Sequence, residues 1–280
     1  GGIIGYADYS ATLGNSGTTV TIKNNTFTKK GFTFFKWSTR NDNVYDNYGW
    51  SKADGTGWSG TWSYVNGQYG IANNTLNLYP TWTADTYTVK YSCGTGATGT
   101  APASHTTSYG QSITIANNTC SKTGYKFVGW TTKSDGTNDG YGWFKSDGSG
   151  WSGTWTYVNG EYGIANYVLQ LYPIWTVNEY TVTLTKGTGI SAVSGAGTYN
   201  YGDTVTIDAT VSAGYTWKNW TGTHSTTTKE YTFTMPASNV SDTANAVDST
   251  APSTPTYTAF HASDNSTYTS GNWTNKLVHT

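Results

Sequence analysis

Apolar and polar residues alternate over many short stretches of this chain, and each stretch ends at Gly, Asn or Asp. The stretch Tyr87-Thr-Val-Lys-Tyr91 has this alternation, which predicts a strand with one buried face. Similar stretches at 112–116, 125–130 and 168–176 predict further strands. Pro173 within the last of them predicts a sheet edge or a bulge, because proline has no N–H to donate. Thr, Tyr, Trp and Val are abundant while Leu, Glu and Met are scarce, so the chain is predicted to be mainly β.

The same pattern returns after 93 residues. The stretch Tyr48 to Tyr69 reads YGWSKADGTGWSGTWSYVNGQY, and Tyr141 to Tyr162 reads YGWFKSDGSGWSGTWTYVNGEY. Two shorter pairs of segments correspond at the same spacing, namely 31–37 with 124–130 and 78–83 with 171–176. Self-similarity at a fixed spacing predicts an array of small structural repeats, in which each repeat contacts mainly its neighbours.

The repeat divides the chain into three modules and a tail. We expect module 1 at 1–83 with insert 1 at 45–74, module 2 at 84–176 with insert 2 at 138–167, module 3 at 177–247, a linker at 248–256, and a further domain beginning at 257–280. Each insert is rich in Trp, Tyr and Gly, and the pairs Asp147-Gly148 and Asn159-Gly160 predict hairpin turns in insert 2. Module 1 lacks the opening strand of module 2, so we expect a segment of a longer protein.

The charge content excludes several classes of partner. Charged residues make up 11% of the chain and the net charge is −1, whereas nucleic-acid binding needs clustered Lys and Arg. No stretch of eighteen apolar residues is present, so we expect no membrane insertion in this segment. Aromatic residues reach 16%, which argues against disorder. Low charge with much Thr, Ser, Asn and Gly is typical of extracellular proteins.

The framework of the modules resembles a known family. Module 2 has YTVKY, then GYKFVGW at 124–130 and LYPIWT at 171–176, and these motifs resemble the Listeria–Bacteroides surface repeat, also called the internalin B-repeat-like module. Module 3, with YTVTLTKG, AGYTWKNWTG and YTFTMPASNV, is similar to the divergent type of that repeat. The stretch 257–280 resembles the start of a bacterial immunoglobulin-like domain.

The resemblance implies an elongated tandem array of small β-grasp-like modules on a secreted or wall-attached bacterial protein. It implies stalk, adhesion or host-contact roles rather than catalysis. The inserts depart from the usual repeat, which runs directly from the GW strand to the closing strand, so the resemblance says least about them.

The inserts are the candidate binding site. Their aromatic residues are Trp50, Trp58, Trp62, Tyr64 and Tyr69 in insert 1 and Trp143, Trp151, Trp155, Tyr157 and Tyr162 in insert 2, with Tyr48 and Tyr141 beside them. Sugar rings stack on flat aromatic rings, and amphipathic aromatic side chains anchor protein contacts. The predicted partner is therefore a host glycan or a host protein such as an immunoglobulin. The alternative is that the rings form a small core for the insert, since a module of this size is marginally stable.

The cysteines leave two alternatives open. Cys93 and Cys120 both lie in module 2, and module 1 has Phe27 where module 2 has Cys120. They can form a disulfide if the protein is exported, or they can remain two small buried thiols.

Neither a metal site nor a catalytic site is expected. Asp54-Gly-Thr-Gly and Asp147-Gly-Ser-Gly each offer one carboxylate, whereas calcium needs several oxygen ligands, so these stretches are better explained as turns. The histidines His105, His224, His261 and His279 do not have the spacing of a metal or catalytic motif. We expect no cofactor and no enzyme activity. The sequence favours an adhesin-type surface protein that is a monomeric rod; the alternatives are a non-binding stalk and an accessory module of a glycan-active enzyme.

Overall fold

The computed structural model describes residues 9–12, 17–52 and 54–251. These residues form strands, turns and loops and contain no helix, which confirms the prediction of a mainly β protein. The chain divides into two compact units, Gly1–Asn178 and Glu179–Thr280. The predicted immunoglobulin-like start at 257–280 lies outside the described residues, as does the linker beyond Ala251.

The first unit contains modules 1 and 2. Its strands are β1 (Tyr9–Thr12), β2 (Thr19–Thr21), β3 (Phe32–Ser38), β4 (Ser59–Thr61), β5 (Thr75–Ala84), β6 (Thr86–Tyr91), β7 (His105–Ser108), β8 (Ser112–Thr114), β9 (Tyr125–Thr131), β10 (Ser152–Thr154) and β11 (Val168–Val177).

The second unit contains module 3. Its strands are β12 (Glu179–Lys186), β13 (Ile190–Ser194), β14 (Gly197–Asn200), β15 (Thr204–Val211), β16 (Tyr215–Gly222), β17 (Tyr231–Thr234) and β18 (Val240–Asp248). No helix in the described residues is long and apolar enough to cross a membrane.

Modules 2 and 3 share one sheet plan. Module 2 has the strand order β7-β6-β11-β9, and module 3 has β14-β12-β18-β16. In both sheets the two central strands are parallel and the outer pairs are antiparallel. Module 3 also has a second sheet, β13-β15-β17. The β-grasp character of the modules and their elongated arrangement stay predictions.

The main sheet of module 1 has three strands in the described residues, against four in module 2. Its order is β1-β5-β3, and β1 runs antiparallel to β5. In module 2 the equivalent neighbour, β6, runs parallel to β11. The opening strand that module 1 lacks in sequence is thus replaced by residues 9–12 running in the opposite direction.

Pro173 lies in the part of β11 that pairs with β9 alone. β11 pairs with β6 through residues 168–171 and with β9 through residues 172–177. The register shifts between Ile174 and Trp175. The missing N–H of Pro173 therefore lies past the end of the β6 ladder and close to the irregularity, in a strand that has neighbours on both sides.

Each insert is joined to the framework of its module by a two-stranded sheet. In module 2, β10 of the insert pairs with β8, and in module 1, β4 of the insert pairs with β2. The insert is therefore part of the fold of its module and not an appended hairpin.

The insert of module 2 also completes the core. The buried apolar residues are Tyr87, Val89, Ile113, Ile115, Trp130, Trp143, Trp155, Ile164, Leu169 and Leu171. Alternate residues of β6 and β11 supply one buried face, and the insert supplies Trp143, Trp155 and Ile164. We expected either a separate small core or a contact surface. The structure instead joins insert and framework in one core.

Candidate functional site

Five aromatic rings of insert 2 form one connected cluster. Trp143 and Trp155 stack with 5.8 Å between ring centroids and 21° between planes. Trp151 meets Trp143 edge-on at 6.0 Å, and Tyr157 meets it at 5.0 Å. Tyr162 lies 4.8 Å from Tyr157. Insert 1 repeats these contacts with Trp50, Trp62, Trp58, Tyr64 and Tyr69.

Burial separates these rings into packing rings and rings that reach solvent. Trp143 and Trp155 are 1% and 0% exposed, and their equivalents Trp50 and Trp62 are each 2% exposed. A partner arriving from solvent has no access to these four rings, so they pack the core. The half-buried rings are Trp58, Trp151, Tyr64 and Tyr157.

The tyrosines are the exposed part of the cluster. Tyr162 is 45% exposed and meets Tyr141, which is 43% exposed, edge-to-face at 5.7 Å. Tyr69 and Tyr48 are each 46% exposed and meet at 5.8 Å in the same manner. We call Tyr141 with Tyr162, and Tyr48 with Tyr69, the tyrosine pairs.

An uncommon backbone conformation holds each tyrosine pair outward. Tyr162 has φ 49° and Tyr69 has φ 48°, in the left-handed region that bulky residues rarely adopt. The carbonyl of Tyr162 accepts the indole N–H of Trp143 at 3.3 Å, and Tyr69 accepts that of Trp50 at 3.1 Å. The backbone therefore directs the carbonyl to a core tryptophan while the ring stays in solvent.

A carboxylate fastens the start of insert 2 to the end of β9. Asp139 accepts hydrogen bonds from the backbone N–H groups of Thr132 and Tyr141 and from the hydroxyls of Thr131 and Thr132. Burial raises the pKa of Asp139, but these hydrogen bonds outweigh it and leave the pKa below its ordinary value. Asp46 receives three of the four equivalent hydrogen bonds in insert 1.

The insert glycines accommodate the module's own atoms. A Cβ on Gly150 would lie 1.8 Å from the carbonyl oxygen of Ile115. A Cβ on Gly153 would lie 2.6 Å from the Trp151 ring. These glycines therefore permit a close backbone approach and the folding of Trp151 over its own strand.

The two Asp-Gly loops are turns. Asp147 accepts hydrogen bonds from the N–H and hydroxyl of Ser149 at 2.9 and 2.6 Å, and Asp54 does the same with Thr56 at 3.0 and 2.6 Å. Both carboxylates are therefore used within their own turns. In the described parts of the chain, no group of three or more His, Cys, Asp or Glu side chains is placed to hold a metal ion.

Module 3 contains a buried pair that sequence reasoning missed. Asp242 is 1% exposed and accepts the backbone N–H of His224 at 2.8 Å, with its other oxygen 2.7 Å from Nδ1 of His224. The imidazole packs 4.2 Å from the ring of Phe233. Eighteen residues separate the pair in sequence, so no local motif could reveal it. His261 and His279 lie outside the described residues.

Modules 1 and 2 touch within the first unit. The ring of Tyr109 lies against Gly31, where an added Cβ would be 2.1 Å from Cδ2, and it meets Phe32 edge-on at 5.5 Å. Lys30 pairs with Glu161 of insert 2 at 2.8 Å. Insert 2 therefore contacts the preceding module as well as its own.

The cysteines form a disulfide, Cys93–Cys120. It closes a loop of module 2 that is also held by reciprocal backbone hydrogen bonds between Thr98 and Ser121 at 2.8 and 3.0 Å. Module 1 has no counterpart, since Phe27 packs against Trp37 at the position equivalent to Cys120.

The sheets and the repeated aromatic cluster define a class of mainly β repeat modules. Residues 87–147 match the family described as the Listeria-Bacteroides repeat domain, and residues 180–250 match the divergent InlB B-repeat domain. These matches confirm the repeat type predicted for modules 2 and 3. Both families are surface repeat domains and not enzyme families.

Two curated relatives come from Evansella cellulosilytica. One, named as a membrane protein, is 31% identical over 70 residues, which are 25% of this chain and 10% of the relative. The other, named as a Gly-rich membrane protein, is 24% identical over 162 residues, which are 58% of this chain and 16% of the relative. The chain thus spans a small fraction of the length of the relatives it matches. No solved structure matches it significantly.

Proposed function

We propose that this chain belongs to the extracellular part of a bacterial surface protein and contacts a protein partner through its tyrosine pairs. The observation that carries the proposal is the duplication of one exposed arrangement. The same edge-to-face pair, at 5.7 and 5.8 Å, is mounted on the same buried Trp cluster in both inserts.

The chemistry of the pairs suits a protein partner. Tyrosine combines a large apolar ring with a polar hydroxyl and loses little conformational entropy on binding, so it anchors many protein interfaces. The left-handed backbone at Tyr69 and Tyr162 also supports a binding role. Asn or Gly would occupy that conformation at lower cost, so a tyrosine there is better explained by a role of its side chain than by a backbone preference. Two equal sites on one chain would also give avidity.

The extracellular location is supported by three features. The matched families are surface repeats, both relatives are named as membrane proteins, and the chain contains a disulfide of the sort that persists in oxidising compartments.

A second candidate function is that of a non-binding stalk. The burial of Trp50, Trp62, Trp143 and Trp155 favours it, because these insert tryptophans then serve only to pack the core. In that case the tyrosine pairs would only cover the edge of the core.

The test is a serum-protein pulldown on the immobilised 280-residue chain, together with purified immunoglobulin G and a host-glycan array. The variant carries Tyr48→Ser, Tyr69→Asn, Tyr141→Ser and Tyr162→Asn. The matched control is Tyr167→Asn, because Tyr167 is 45% exposed and module 1 already has Asn74 there. We expect the variant to lose a captured protein that the control retains. No capture by the wild type would support the stalk. Array binding that the tyrosine variant loses, without any protein capture, would replace the protein partner with a glycan.

A further inference from the structure

Module 2 contains a small pocket away from the tyrosine pairs. It has a volume of about 210 Å³, and its walls include Lys122, Tyr125, Asp135, Tyr172, Pro173 and Trp175. Pockets for drug-sized ligands are larger, about 300–1,000 Å³. This pocket is therefore suited to a single small ring, and it is too small for a folded peptide segment.

The pocket combines aromatic and proline surfaces with groups of both charges. The ammonium of Lys122 is held at the wall by the ring of Tyr125, 4.5 Å from its centroid. Asp135 accepts the N–H and hydroxyl of Thr137 at 2.9 and 2.7 Å through Oδ1, as Asp54 and Asp147 do in their turns, so that Oδ2 takes part in neither bond. These hydrogen bonds keep the pKa of Asp135 below its ordinary value. A donor and an ionised acceptor thus line the same opening.

Trp175 contributes its ring to the pocket wall. Its Nε1 is buried and has no hydrogen-bond partner among the described residues. A Cβ added to the pocket residue Gly94 would lie 3.9 Å from this nitrogen. Because this nitrogen has almost no surface open to solvent, a ligand in the pocket contacts the ring of Trp175 and not its N–H.

The disulfide cross-links two walls of this pocket. Gly94 follows Cys93 directly, and Lys122 lies two residues after Cys120. Module 1, which has no disulfide, also differs at the rim. It has Asn43 where module 2 has Gly136, and the Asn43 amide bonds to the backbone of Trp82, the equivalent of Trp175, at 2.8 and 3.2 Å.

We propose that this pocket of module 2 binds one pyranose unit of a glycan. A pyranose has an apolar C–H face for the rings of Trp175 and Tyr172, and its hydroxyls both donate and accept hydrogen bonds. It can therefore use the Lys122 ammonium and the Asp135 carboxylate together, whereas a purely anionic or cationic ligand would face one group of its own sign. The disulfide keeps the Gly94 wall in place.

The proposal is tested on the 280-residue chain with the methyl glycosides of glucose, galactose, mannose and N-acetylglucosamine, by saturation-transfer NMR and tryptophan fluorescence. The pocket variant is Gly136→Asn. Gly136 has φ +77° and Asn43 has φ 65°, so module 1 already accommodates asparagine at this backbone position. The reciprocal variant Asn43→Gly is the control. Circular dichroism checks that both variants fold.

We expect saturable binding of at least one glycoside, a loss of about tenfold in affinity in Gly136→Asn, and wild-type affinity in Asn43→Gly. Reduction of the disulfide should also weaken binding. The proposal is overturned if no glycoside binds, or if Gly136→Asn binds as the wild type does. A zwitterion such as phosphocholine, measured by the same two methods, should bind more weakly than the best glycoside, and preferred binding of it would also overturn the proposal. The tyrosine-pair variant should keep glycoside binding, so the two proposals can fail separately.

Discussion

The indole N–H of Trp143 donates to the backbone carbonyl of Tyr162 across 3.3 Å. One of these residues is 1% exposed and the other 45%, so this hydrogen bond connects a buried ring of insert 2 to an exposed one. Trp50 and Tyr69 have the same relationship, so in both modules a tryptophan that packs the core also fixes the backbone of an exposed tyrosine.

Replacement of a core tryptophan should cost much more stability than replacement of an exposed tyrosine. Trp155 is 0% exposed and stacks on Trp143, so Trp155→Ala should lower the free energy of unfolding by roughly 3–5 kcal/mol. Tyr141→Ala should change it by only about 0.5 kcal/mol. Urea denaturation followed by circular dichroism measures both. A Trp155→Ala loss no larger than that of Tyr141→Ala would contradict the shared core.

Gly150 should not tolerate even alanine. Its Cβ would lie 1.8 Å from the Ile115 carbonyl oxygen, so the backbones of insert and framework must move apart, at a cost of about 3 kcal/mol. Gly160→Ala is the matched control, because Gly160 has no neighbour within 4 Å of an added Cβ and suffers only from its φ of +84°, which costs about 1–2 kcal/mol. Thermal unfolding of the two variants makes the comparison, and equal losses would show that insert and framework are not closely apposed there.

The stability of module 2 should depend on acid through Asp139. The folded-state pKa of Asp139 lies below its ordinary value, so the folded state releases this proton more readily than the unfolded state. The stabilisation is therefore complete above the ordinary carboxyl pKa and is lost as the pH falls through the lowered pKa. We expect Asp139→Asn to be less stable than the wild type at neutral pH, with the difference shrinking in acid. Melting temperatures measured across the acid range check this, and a difference that grew on acidification would refute the assignment.

Removal of the disulfide should destabilise the first unit alone. Cys93 and Cys120 are 27 residues apart, and a cross-link of that loop length is worth roughly 3 kcal/mol through the entropy of the unfolded chain. Cys93→Ala with Cys120→Ala, or dithiothreitol on the wild type, should lower the unfolding temperature of the first unit. The unfolding of residues 179–251, which contain no cysteine, is the internal control and should not change.

Much of the framework followed from local patterns. The alternating stretches at 125–130 and 168–176 predicted strands, and β9 and β11 occupy them within a residue or two. The matched repeat families are the ones that the short motifs of modules 2 and 3 predicted. Each motif is short, and the prediction depended on several of them occurring together in one module. The division into three modules stays a prediction, since the chain separates into two compact units.

The pocket and the His224–Asp242 pair could not be predicted in the same way. Both depend on residues that are distant in sequence and that no periodic pattern connects. The pocket walls come from a loop after β6, a segment before β9, a turn after it and the closing strand β11. The pairing of β6 and β9 with β11 and the Cys93–Cys120 disulfide bring these segments together.

The sequence by itself determined the β class, the repeat and the position of the aromatic inserts, because alternation, turn residues and self-similarity are local properties. Tertiary structure alone decided which rings are buried. Trp151 and Trp155 are four residues apart and would share one face of a regular strand, yet Trp155 is fully buried and Trp151 only partly. Gly153 lets Trp151 fold over its own strand, and the uncovered face of the sheet takes up Trp155. The burial of each ring depends on the surface that it packs against in the folded module, and the local sequence does not specify that surface.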